Sequence, residues 1–231
     1  MRKNYKKYKG FSLIELLLTT MILTVIMLLV ATTLNTVIKV SNTTNSKNTA
    51  RANMSYIMDF VSRALTNSEL GDIYMFNSSG VRTLGENDGQ LGIISSVDLG
   101  STYADGKLGD VAVQGNEIHM KLYGYNDWTC IGYFEDSSGY GYIVRTVYED
   151  DMQGDHSLCF GEDAIVTPMH SFMIDVSGFS LDYIVMGDKE NRMFLINSTL
   201  RPLYWPVGDT FPINRDVTRQ AVVSTQALTW Y

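Results

Sequence analysis

Twenty-three consecutive residues, Leu16 to Ile38, carry no charge, and they follow a single acid, Glu15, and a stretch whose charges are all positive. In a helix such a run extends about 35 Å at 1.5 Å per residue, enough to cross a hydrocarbon core of roughly 30 Å. Arg2, Lys3, Lys6, Lys7 and Lys9 all precede Gly10, and the next basic residue is Lys39. That asymmetry sets the N-terminus in the cytoplasm and exports the chain beyond the apolar run. Three plainer readings compete. A secretory signal is cut at small residues after its apolar region, and Val30-Ala31-Thr32 is a poor site of that kind. A buried helix of a soluble protein needs neither the basic flank nor so long an uncharged run. A plain membrane anchor satisfies the hydropathy equally well, so the residues at the head of the run have to decide.

A carboxylate five residues into a spanning helix costs on the order of 2.5 to 3.5 kcal/mol on insertion scales, so an acid there calls for a named partner. The segment Lys9-Gly10-Phe11-Ser12-Leu13-Ile14-Glu15 combines a short basic leader, a Gly-aromatic junction and a lone Glu at fixed distance in an apolar run. It resembles the prepilin signature of the type IV pilin and pseudopilin superfamily. The resemblance implies cleavage between Gly10 and Phe11 by a prepilin peptidase and N-methylation of Phe11. It also implies pairing of Glu15 with the Phe11 amine of a neighbouring subunit, and other pilins or pseudopilins as partners through this helix. Electrostatics agree, since an ammonium is a natural partner for a carboxylate poorly screened by water. The implied location is a single-pass cytoplasmic (inner) membrane protein with an exported head, later an extracellular or periplasmic filament.

Residues 1–10 are then a basic leader, 11–38 the transmembrane half of a helix, 39–67 its amphipathic half and 68–231 an exported head. After the apolar run, residues 41–49 are almost wholly Ser, Thr and Asn, which rank low in helix propensity. Helical periodicity then returns, with Ala50, Met54, Ile57, Met58, Val61, Ala64 and Leu65 on one face. With no Pro before Pro168, the spacing predicts one helix from Phe11 to about Asn67, about 85 Å if uninterrupted. Residues 41–49 are either a frayed segment or a solvated stretch of that helix.

Beyond residue 70 the apolar positions step by two, as in half-buried strands: Ile118-Met120-Leu122, Tyr142-Val144-Thr146, Phe172-Ile174-Val176 and Phe179-Leu181-Tyr183. Gly, Asn and Asp clusters at 85–90, 104–110, 124–127 and 135–141 supply turns. The expected fold class is α+β and pilin-like, a long helix packed on a mainly antiparallel β head. Val176 to Tyr183, then Tyr204-Trp205-Pro206, Phe211-Pro212 and a strand from Gln220 to Leu228, resemble in order the head of the larger J-type minor pseudopilins of type II secretion or the W-type minor pilins.

Of 18 Lys and Arg, five lie in the leader, so residues 11–231 hold 13 basic against 25 acidic side chains, a net of −12. Such a head repels a polyanion, so no nucleic acid is expected as a partner. Cys130 and Cys159 lie in the exported region, where a disulfide persists; they either pair or remain two buried thiols. Catalytic motifs are missing: there is no G-x-S-x-G, Walker loop, H-E-x-x-H or C-x-x-C, and His119, His156 and His170 are scattered. No enzyme and no cofactor is expected. Calcium is the metal to weigh, because Glu149-Asp150-Asp151 with Asp155, and Glu86-Asn87-Asp88, offer hard oxygen ligands; neither run has EF-hand spacing. The leading expectation is a minor pilin or pseudopilin that starts or primes a filament; the alternative is an adhesion or ligand-binding subunit displayed on one. Trp128, Trp205, Trp230 and Tyr231 serve either the core or such contacts.

Overall fold

The computed structural model describes residues 10–78, 80–87, 89–96, 108, 113–149, 159–161, 164–185, 191–204 and 215–226. The chain divides into two compact units, Met1–Asn45 and Ser46–Tyr231, and one helix, α1 (Leu13–Thr66), contributes to both. Its ends lie within two residues of the predicted ones. Residues 41–49 are helical, so the solvated-helix alternative is the one observed. Their low propensity costs no more than about 0.7 kcal/mol each, too little to break a helix with regular turns on both sides and no Pro.

In the first unit the apolar side chains of α1 are exposed, and its most apolar window, of mean hydropathy 2.6, has none of its residues buried. Length and composition suffice to cross a membrane. The hydroxyls of Thr19, Thr20, Thr24, Thr32, Thr33 and Thr36 each donate to a backbone carbonyl three or four residues earlier, at 2.8–3.0 Å. Those bonds satisfy the polar groups that an apolar surrounding would otherwise leave unpaired.

In the second unit the same helix buries one face. The residues of α1 that are buried are Ala50, Met54, Ile57, Met58, Val61, Ala64 and Leu65, the seven of the periodic stripe. They join a core with Ile73, Ile118, Met120, Ile131, Leu181, Phe194 and Ile196 from two sheets. One sheet contains β1 (Ser68–Phe76), β5 (Glu117–Leu122), β6 (Trp128–Asp136), β7 (Gly141–Tyr148) and β8 (Thr167–Pro168), paired antiparallel in that order. The hairpin β2 (Arg82–Asn87) and β3 (Gln90–Ser96) attaches to the end of β6 through a short parallel pairing of Thr83 and Leu84 with Glu135 and Asp136. The other sheet has the order β11 (Val217–Gln226), β10 (Asn191–Pro202), β9 (Ile174–Val185) and β4 (Val113–Gly115), all antiparallel. This is the α+β, pilin-like arrangement expected, with one parallel contact among the described strands, which otherwise pair antiparallel.

The strands form where the patterns place them, with two changes: β5 is buried on both faces from Glu117 to Met120 rather than half-buried, and β9 joins two of the patterns. Phe172 is exposed and precedes β9, whereas Ile174-Val176 and Phe179-Leu181-Tyr183 belong to that one strand although their parities differ. The register explains it: Val176 pairs with Leu200 and Gly178 with Thr199, so Ser177 is an extra residue. A one-residue bulge moves every later side chain to the other face. Turns fall in the predicted clusters at Gly89, Gly124 and Gly139, whose φ values of 79°, 81° and 81° only glycine adopts cheaply. In the last, Asp136 Oδ1 accepts from Ser138 N–H and Tyr140 N–H. Most of the 104–110 cluster, Trp205-Pro206, Phe211-Pro212, and Leu228 of the closing strand lie outside the described residues; β11 covers the earlier part of that strand.

Candidate functional site

The first turn of α1 is built by its own sequence. Ser12 stands at the N-cap, its carbonyl accepting from Glu15 N–H and Leu16 N–H at 3.1 and 3.2 Å. Its Oγ accepts from Glu15 N–H at 3.3 Å, while Glu15 Oε2 accepts from Ser12 N–H and Ser12 Oγ–H at 3.4 and 3.5 Å. That reciprocal arrangement is a capping box, which occupies amides that have no helical partner. Sequence reasoning gave Glu15 a partner on another subunit and missed Ser12. The signal was present, since Ser-x-x-Glu immediately before an apolar run is the sequence form of this cap.

Gly10 and Phe11 precede the helix and are exposed, Phe11 to 76 percent. A Cβ added at Gly10 would meet no atom within 4 Å, and Gly10 has no left-handed φ. Nothing in the described fold requires glycine there. Arg2, Lys3, Lys6, Lys7 and Lys9 lie outside the described residues.

The head holds a second polar cluster, formed by residues far apart in sequence. Arg82 Nε and Nη2 donate to Glu117 Oε2 and Oε1 at 3.0 and 3.1 Å, and Arg82 Nη1 donates to the Phe160 carbonyl. Glu117 Oε1 lies 2.8 Å from His119 Nε2. Arg82, Glu117 and His119 are all buried. Burial pushes the Glu117 carboxyl up, but the hydrogen bond and charge of His119, the charge of Arg82 and a hydrogen bond from Ser78 outweigh it and hold it below its ordinary value. Cys130 and Cys159 are joined by a disulfide with Cα atoms 6.1 Å apart, in a second core with Leu84, Ile93, Phe134 and Phe160.

His119 and His170 are both buried. His170 Nε2 accepts from Ile143 N–H, Nδ1 lies 3.1 Å from the Ser171 carbonyl, and the ring stacks on Tyr142. Burial lowers its pKa, against weaker opposing effects of Ser171 and Asp175. With Nε2 accepting, His170 is neutral and its Nδ1–H donates. His156, Asp88, Asp150, Asp151, Asp155, Trp205, Trp230 and Tyr231 lie outside the described residues, and most of the expected calcium ligands are among them. Trp128 is buried in the second core, beside Tyr74.

Residues 5–31 match the family model of the prokaryotic N-terminal methylation motif. No curated protein and no solved structure matches the chain. The matched motif indicates a type IV pilin-like N-terminus. It implies processing by a prepilin peptidase and assembly with pilins, and together with the apolar helix it fits membrane anchoring.

Proposed function

We propose that this type IV pilin-like chain is a minor pilin or pseudopilin, a structural subunit that starts or primes a filament of a type IV pilus or a type II secretion system. The observation that carries the reading is Glu15 at the head of a helix whose apolar surface from Leu13 to Ile38 is exposed throughout. Such a surface is stable only against lipid or against like helices, and an acid among them is best neutralised by an amine at the same depth. Cleavage after Gly10 creates that amine on Phe11. The likeness of Val176 to Tyr183 and the segments after it to J-type and W-type heads points the same way.

Replacing Glu15 with Ala tests it. The precursor is still shortened to begin at Phe11, and the mature chain is not recovered in sheared filaments. Equal incorporation of Glu15→Ala and wild type removes the proposed pairing. Deleting the gene tests the priming role separately, since unchanged filament formation and secretion contradict it.

A second reading, display of an adhesion or ligand-binding surface, draws on exposed Tyr123 and Tyr125 at the β5–β6 turn. Labelling separates the two: a primer is scarce and at one end of the filament, an adhesin is not confined there.

A further inference from the structure

The head contains a group of metal-binding side chains that the pilin-like reading does not use. One ligand atom each from His119, Cys130 and Cys159 lies within 4.8 Å of the others, and all three residues are buried. The β5–β6 ladder sets two of them side by side, since His119 pairs with Cys130 in register. The third arrives from the turn at Cys159 and Phe160, where Phe160 packs on the His119 ring with centroids 5.7 Å apart. The Phe76 ring also packs against it, with centroids 5.1 Å apart. Glu117 Oε1 engages His119 Nε2 at 2.8 Å, and Glu117 is itself held by Arg82. A carboxylate on one ring nitrogen is the support that metal-binding histidines ordinarily have, because it fixes ring orientation and raises basicity at the other nitrogen.

We propose that, when the disulfide is reduced, His119, Cys130 and Cys159 bind a thiophilic divalent cation of the zinc class. This corner of the head is then closed either by a sulfur–sulfur bond or by a metal. A dithiol reductant supplies two electrons and two protons: the Cys130–Cys159 bond breaks, both sulfurs become thiols, and the reductant's two sulfurs join. The cation then displaces both thiol protons to solvent and binds two thiolates and an imidazole nitrogen, with water in the fourth position. Tetrahedral zinc holds two sulfurs about 3.8 Å apart. Once the bond is cut, rotation of the cysteine side chains reaches that spacing from Cα atoms 6.1 Å apart. Zinc with two thiolates and a neutral imidazole carries no net charge, and the Arg82–Glu117 pair beside it is also balanced. Burial of the metal-bound state therefore leaves no uncompensated charge.

The test uses the full chain in detergent, oxidised or reduced with a dithiol that is then removed, and zinc(II) as the probe. Zinc bound after gel filtration is counted with a chromophoric chelator, and thiol alkylation is followed by mass spectrometry. The reduced chain retains one zinc per chain and the oxidised chain none, and zinc slows alkylation of Cys130 and Cys159 together. In reduced His119→Gln, affinity falls by more than about 100-fold, beyond the loss expected from removing a mere supporting partner. Zinc that neither binds the reduced chain nor protects its thiols overturns the proposal. So does equal binding by the oxidised chain, or binding unchanged by His119→Gln. If that variant does not fold, the comparison of oxidised with reduced wild type decides, with Cys130→Ser as the second ligand deletion.

Discussion

The two units solve opposite problems with polar groups. Among the described residues of the first unit, 10–45, the apolar side chains face outward, and polar groups are satisfied by partners three or four residues away: the threonine hydroxyls, and Ser12 with Glu15. Among the described residues of the second unit the apolar side chains of two clusters face inward, and charges are satisfied inside the core by partners distant in sequence, Arg82 and Glu117 being 35 residues apart. A segment that relies on neighbours in sequence keeps its polar groups paired in lipid, in a helix bundle or alone. A core that relies on distant partners exists only when the whole head is folded. One chain thus carries a portable helix and a cooperative head.

The largest effect expected from breaking this contrast lies in the head. Glu117→Gln keeps the shape of the side chain but leaves Arg82 as an unbalanced buried charge, which costs about 3–5 kcal/mol. The variant unfolds at lower urea than wild type, or fails to fold. The wild-type pH profile rests on the same carboxyl. Its pKa in the folded head is below the ordinary 4.5, so the unfolded chain binds its proton first as pH falls. The stabilisation is complete above the unfolded value and is lost as pH drops through the folded one. Urea midpoints measured downward from neutral pH decline below about 4.5 in wild type. Glu117→Gln lacks that part of the decline.

The halves of α1 provide the next test. Ile57 is fully buried in the core, and Ile57→Ala removes about 2–5 kcal/mol from head stability. Leu23 is chemically similar but 54 percent exposed, and Leu23→Ala leaves the urea midpoint of the head within about 0.5 kcal/mol of wild type. A comparable loss at both positions would mean that the first unit is buried against the chain itself.

The same contrast explains what could be read from sequence. Gly10, Phe11 and Glu15, and the stripe from Ala50 to Leu65, are local patterns with fixed spacing, so one stretch of chain reveals each. The parity change between Val176 and Phe179 was visible too, although only pairing with β10 identifies Ser177 as a bulge. The Arg82–Glu117–His119 cluster was not legible. Arg82 and Glu117 come from β2 and β5, which reach one another only across β6, and no short-range pattern encodes that strand order. Cys130 and Cys159 were legible as a pair of residues; their approach depends on the same distant pairing. Ser12 is a local feature masked by the motif it sits in, where the pilin resemblance already assigns Glu15 a role between subunits.

Ser12 gives the smallest effect and the sharpest distinction. Ser12→Ala removes the cap and costs about 1 kcal/mol in the first turn of α1. Hydrogen exchange at the amides of Leu13 to Glu15 in detergent accelerates roughly fivefold, the equivalent of that energy. Glu15→Gln is the complementary change, because Gln at the third helical position still completes a capping box but carries no charge. If Glu15 serves only its own helix, Ser12→Ala impairs incorporation into filaments and Glu15→Gln does not. If its charge pairs with the Phe11 amine of a neighbour, Glu15→Gln blocks incorporation with its first turn intact, and Ser12→Ala assembles despite a frayed one. The two substitutions thus separate a role inside the subunit from a role between subunits, on a carboxylate whose hydrogen bonds alone permit both.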